Sequence, residues 1–156
     1  MTQTAKSLTT DAQTEIVEAL NQSVAETVVT TMLAQNFHWN VTGMAFGPLH
    51  ALFQEIYEDH FEAQDDLAER VKALGGHAKG KLSEMVAASK VDEHDGHASA
   101  EDMVATLAEA QRTVASTLTA TAAVASGNGD LLTEDLCIGR AQKHEKFAWL
   151  LSAHLG

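Results

Sequence analysis

The chain has 156 residues, enough for one domain with its own core, and 45% of them are hydrophobic. A single proline and few aromatics exclude a many-stranded sheet, no run is long and apolar enough to span a membrane, and one cysteine, Cys137, excludes an internal disulfide. The net charge of −12 repels nucleic acid and attracts cations, although an acidic surface also serves plain solubility.

Residues 1–10 are polar, lack the apolar segment of a secretory signal and read as a short flexible tail. With the lone cysteine, this fits a cytoplasmic protein. Thr9-Thr10-Asp11 supplies capping residues for a first helix, expected from about Asp11 to Asn40 and ending near Thr42-Gly43. Its apolar stripe is Ile16, Leu20, Val24, Val28, Met32 and Gln35 at i, i+4 spacing.

A second helix is expected from Pro48 to Leu74, because proline suits a first helical position and Gly75-Gly76 accepts the turn that ends a helix. Leu49, Leu52, Phe53, Ile56, Ala63, Leu67, Val71 and Leu74 form its core stripe. His77 to Ala98 is looser, with a short helix expected over Lys81 to Ser89; His94 and His97 read as part of a solvated loop. Ser99 and Asp102 open the next helix, which stops before Gly127-Asn128-Gly129. Asp130 opens the last, with Leu132, Leu136, Phe147, Leu150 and Leu151 among its apolar positions, and Cys137 reads as a small buried hydrophobe. The sum is an all-α chain, one domain over 1–156: a four-helix bundle with a long central crossover that carries the short extra helix.

The second helix carries a further stripe of His50, Gln54, Glu58, Phe61, Asp65 and Glu69. Imidazole, amide and carboxylate ligands together suit iron, zinc or manganese. They fall into two groups, however: Asp65 is fifteen steps along the helix from His50, about 22 Å. One ion cannot touch both within a chain. A two-fold axis near Tyr57–Phe61, with the partner helix antiparallel, brings the top of one helix to the bottom of the other and creates two identical shared sites per dimer. A short loop between antiparallel helices puts His38 at the same end as His50, so these two histidines are read as joint ligands. No histidine has a glutamate three residues before it, so the Glu-x-x-His di-iron site of other helical bundles is absent from one chain. His60 lies on the core side, where packing or a hydrogen bond is expected, and Tyr57 and Phe61 read as interface packing.

His38-Trp39-Asn40-Val41-Thr42-Gly43, Leu49-His50, Asp65-Asp66-Leu67-Ala68-Glu69-Arg70, Ala73-Leu74-Gly75-Gly76 and Glu145-Lys146-Phe147-Ala148-Trp149 together resemble the Dps family of mini-ferritins, over about Asp11 to Leu155. The resemblance implies a ferritin-like bundle assembled as a hollow dodecamer. It implies a ferroxidase that oxidises Fe²⁺ with H₂O₂, or with O₂, at two-fold interfaces and stores ferric mineral, protecting DNA from oxidative damage. It assigns His38 and His50 of one subunit, with Asp65 and Glu69 of its partner, as iron ligands; zinc, which suits the same ligand types, is a possible competitor. Trp39 lies where the family's tryptophan intercepts radicals. One turn after His50 the family usually places a carboxylate; here Gln54 stands, a neutral ligand acting directly or through water. Acidic residues near the start of the family's last helix line a pore for iron entry, a role that falls on Asp130, Glu134 and Asp135, with Asp135 the preferred one.

The competing reading is a non-specific DNA-binding nucleoid protein with secondary metal binding. Family members that bind DNA often use basic tails, whereas residues 1–10 hold one base, Lys6. Phosphate contacts need several cations. Lys72, Lys79, Lys81 and Lys90 read as a solvated face, so direct DNA binding is not expected. A metal-free structural bundle is the third class.

Overall fold

The computed structural model describes residues 7–156, which form five helices with no strand among them. These are α1 (Thr10–Asn40), α2 (Phe46–Ala73), the short α3 (Leu82–Ala88), α4 (Ala100–Gly127) and α5 (Leu131–Ser152). Lys6 and the first part of the expected tail lie outside the described residues; Thr9 already caps α1, its side chain accepting from the Ala12 N–H.

The α1–α2 and α4–α5 hairpins pack together through α1 and α4 around a core that includes Phe37, Phe53, Phe147, Leu20, Leu67, Leu107 and Leu118. Two helix ends use the same device. Gly75, at φ +80°, lets the N–H groups of Gly75 and Gly76 reach the carbonyls of Lys72 and Val71. Gly129, at φ +78°, does the same for itself and Asp130 against Ser126 and Ala125. The chain then turns directly into α5, whose first turn Asp130 caps.

Three local expectations are corrected. α2 starts at Phe46, so Pro48 sits inside its first turn, where the missing N–H has no helical partner to lose. In α1, Val28 is only partly buried and Met32 is 48% exposed. A strict i, i+4 repeat drifts about 40° per step, so from Ile16 to Met32 it rotates roughly 160° and leaves the core. The buried side runs instead through Val24, Thr27, Thr30, Ala34 and Phe37. In α5, Leu132 is 71% exposed and the core face is Thr133, Cys137, Ala141, His144, Ala148 and Leu151, mostly small or polar residues that hydropathy passes over. Cys137 is fully buried, as expected, and burial pushes its thiol up to about 12, so it stays protonated.

The crossover lies along α1 and is fastened by its polar side chains. Asn21 donates to the His77 carbonyl and accepts from the Lys79 N–H, each at 3.0 Å. Gln22 donates to the Ala88 carbonyl, and Glu26 accepts from the Lys90 N–H. Asn36 donates to the His94 carbonyl at 2.7 Å. His94 is therefore no free loop residue: its ring packs edge-on against Phe37 at 5.1 Å, while His97 stays exposed.

Candidate metal centre

The last turn of α1 presents His38 and the second turn of α2 presents His50, across a loop turned by Gly43 at φ +102°. The two rings stack with centroids 3.7 Å apart and planes 16° from parallel. Nδ1 of His38 lies 2.7 Å from the His50 carbonyl oxygen, and Nδ1 of His50 lies 2.7 Å from the His38 carbonyl oxygen. A carbonyl only accepts, so each Nδ1 carries a proton, which in the neutral ring leaves the lone pair on Nε2. That is the tautomer, and the kind of anchoring, that metal-binding histidines use. Phe46 stacks on His50 at 4.9 Å, and Tyr57 meets His38 edge-on at 5.2 Å. Trp39, beside His38, is 60% exposed.

One turn along α2, Gln54 donates its amide to Glu58 Oε1 at 2.8 Å. Asp65 and Glu69 follow further down the helix, both exposed. Among the described residues no three His, Cys, Asp or Glu side chains converge to hold a metal. The structure thus brings His38 and His50 together and leaves Asp65 and Glu69 elsewhere on the same chain.

The three acids near the start of α5 separate. Asp130 is buried; it accepts from the Thr133 N–H and hydroxyl, and from the Arg70 guanidinium at 3.0 and 3.2 Å. Burial opposes its charge, but these bonds and the Arg70 charge outweigh it and hold the carboxyl below its usual range. Asp130 is thus a helix cap and an ion-pair partner within the chain. Glu134 is half-buried and Asp135 is exposed.

A second polar cluster escaped sequence reasoning. His60 and His144, both fully buried, sit with rings 4.4 Å apart between α2, α4 and α5. His60 Nδ1 faces Asp59 at 3.0 Å, and Asp59 also takes two bonds from Arg140. His60 Nε2 and His144 Nδ1 meet the terminal amide of Gln111 at 3.0 and 2.7 Å. Desolvation pushes both imidazoles below the ordinary histidine value. Only the core-facing position of His60 hinted at this, since its partners are 51 and 84 residues away.

A ferritin-like domain model matches residues 17–156. The chain is 34% identical to general stress protein 20U of Bacillus subtilis over 142 residues, covering 91% of this chain and 98% of that one. It is 33% identical to DNA protection during starvation protein 2 of Bacillus anthracis, covering 90% and 97%. Among solved structures, Dps from Staphylococcus aureus superposes with a TM-score of 0.89 at 35% identity, covering 92% of this chain and 97% of that one. The Dps protein of Vibrio cholerae, described as a member of a broad superfamily of ferritin-like diiron-carboxylate proteins, gives 0.92 at 28% identity, covering 100% and 98%.

Proposed function

The chain belongs to the Dps family of ferritin-like proteins, and from that premise we propose that it stores and detoxifies iron at sites shared between subunits. His38 and His50 of one subunit, with the partner's Asp65 and Glu69, bind Fe²⁺ as substrate. Two ferrous ions give one electron each to one peroxide. Its O–O bond breaks, two protons are taken up, and two waters leave. The ferric product is stored as mineral in a closed, dodecameric shell. Dioxygen is the alternative oxidant, and zinc competes for the same ligands without redox chemistry.

The observation that carries this reading is the paired anchoring of His38 and His50. Two Nε2 lone pairs are presented side by side, with no third ligand near them in the same chain among the described residues. A half-site of this kind requires a donor from elsewhere, and the acids that begin about 22 Å further along α2 are the natural complement under two-fold symmetry.

DNA protection then follows from removing ferrous iron and peroxide, not from coating the duplex. The net charge is −12, Lys72 donates to the Gly76 carbonyl, and Lys81 pairs with Glu84, which leaves little for phosphates. No described helix is long and apolar enough to cross a membrane, and we place this work in the cytoplasm.

Peroxide consumption during ferrous titration tests the proposal. A His50→Ala/Asp65→Ala variant loses rapid iron oxidation; unchanged consumption rejects the assigned ligands. A crystal soaked in ferrous salt, with anomalous data at the iron edge, locates the metal independently.

A further inference from the structure

Gln54 occupies a place where a metal half-site gains from negative charge, yet an amide brings none. Its surroundings offer a substitute. The side chain is half-buried on the His50 face of α2, one helical turn from His50 on one side and from Glu58 on the other. Gln54 Nε2 donates to Glu58 Oε1 at 2.8 Å. The donor end of the amide is thereby committed to the far side, and Oε1, its only possible ligand atom, is left without a hydrogen-bond partner among the described residues.

We infer that the shared site takes a second metal ion on the Gln54 side of His50 and that Glu58 is its positioning residue: it fixes which end of the Gln54 amide faces that ion and supplies the charge that Gln54 lacks. The inference rests on the metal reading of His38 and His50. Two physical effects act in the same direction. An amide whose N–H is held by a carboxylate is polarised, so its oxygen carries more negative charge and becomes a better ligand for a hard cation. The Glu58 carboxylate is itself a full charge one turn from the ligand atom; it is exposed, so solvent reduces its field, but the separation is well inside a Debye length. Residues that hold metal ligands in this way change metal affinity by about 10- to 100-fold when altered. The Gln54–Glu58 pair thus acts as a carboxylate spread over two residues: one end binds, the other carries the charge.

The test uses Co²⁺, which binds such ligands without turnover, titrated calorimetrically into the assembled protein while its visible absorption is followed. Wild type binds in two phases. Glu58→Gln keeps an acceptor for the Gln54 amide but removes the charge; the second phase weakens at least about tenfold while the first changes by less than about twofold. Adding Gln54→Glu to that variant restores the second phase, and melting temperature is unchanged throughout. A single phase in wild type, an unaltered second phase in Glu58→Gln, or no recovery in the double variant overturns the inference. So does equal loss of both phases with a lowered melting temperature, which is the mark of a merely structural role. His50→Ala keeps the two failures apart: if both phases survive in it, the metal site itself is misassigned, whereas an effect in His50→Ala and none in Glu58→Gln removes Glu58 alone.

Discussion

The imidazole of His38 donates to the carbonyl of His50, and the imidazole of His50 donates to the carbonyl of His38, each at 2.7 Å. Both anchors are main-chain atoms, so neither depends on the other residue's side chain. His38→Ala leaves the carbonyl that orients His50, and His50→Ala leaves the carbonyl that orients His38. Each single variant is therefore expected to lose one ligand and keep the other in place. Stability changes by about 1–2 kcal/mol, from one hydrogen bond and one ring contact, while ferrous oxidation falls at least about tenfold. Thermal unfolding and stopped-flow oxidation, run on the same samples, check the dissociation of the two effects.

The acids at the start of α5 are expected to divide in the same experimental sense. Asp130→Ala removes a helix cap and strands Arg70, a loss of about 2–3 kcal/mol measurable by denaturant unfolding. Because the folded Asp130 carboxyl is held below its usual range, its contribution is present above the unfolded value near 3.8 and disappears as pH falls through the lower folded one. Asp135→Asn, on an exposed side chain, leaves stability unaltered and slows iron uptake if Asp135 lines the entry route. Equal uptake rates for Asp135→Asn and wild type remove it from that role.

The loss of stability just below neutral pH should be governed by His60 and His144. Asp59 is already balanced by Arg140, so a proton on His60 would be a surplus buried charge. Neutral His60 donates Nδ1–H to Asp59 and keeps a lone pair at Nε2. The Gln111 amide then serves both rings best with its NH₂ turned toward them, rotated end for end from its placement with Oε1 there. With folded values below 6.5, the unfolded chain binds more protons once pH drops under that point. Stability is thus full above about 6.5 and falls on acidification by up to about 1.4 kcal/mol per pH unit for each imidazole. Urea midpoints between pH 7.5 and 5 read this slope. His144→Phe, which removes one titrating ring, reduces it.

Much of the fold was legible because its signals are local. Ser99, Asp130, Gly75 and Gly129 punctuate helices through bonds to residues within five positions, and the expected helix boundaries hold to within about two residues. The meeting of His38 and His50 was legible for a related reason: they flank one short loop. Asp65 and Glu69, one turn apart on α2, remain the proposed other half. What escaped depends on distant partners. Asp130 looks like a surface acid until Arg70, 60 residues away, closes on it. His94 looks like loop until Phe37 receives its ring. The His60–Gln111–His144 cluster draws on three helices whose mutual rotation no single helical period specifies. The drift of the α1 stripe is the same difficulty within one element: a four-residue repeat is close enough to 3.6 to persuade over two turns and wrong over four.

The proposed division of the site between subunits predicts an outcome that no single variant tests. In a dimer, one site takes histidines from the first chain and acids from the second, and the other site the reverse. Consider His50→Ala mixed with Asp65→Ala. In a mixed dimer one site inherits both defects, while the other inherits the intact histidines of the Asp65→Ala chain and the intact acids of the His50→Ala chain. Random pairing makes about half of all dimers mixed, and half the sites in each are whole, so about a quarter of wild-type sites return. Each parent alone has none. Co-refolding equal amounts of the two variants should therefore recover about a quarter of the ferrous oxidation rate, with peroxide consumption rising in step. If histidines and acids instead served the same chain, every site in the mixture would carry one defect and the rate would stay at the level of the parents. Recovery after co-refolding, and none after mixing the already assembled proteins, is the expected signature of a site completed across the two-fold axis.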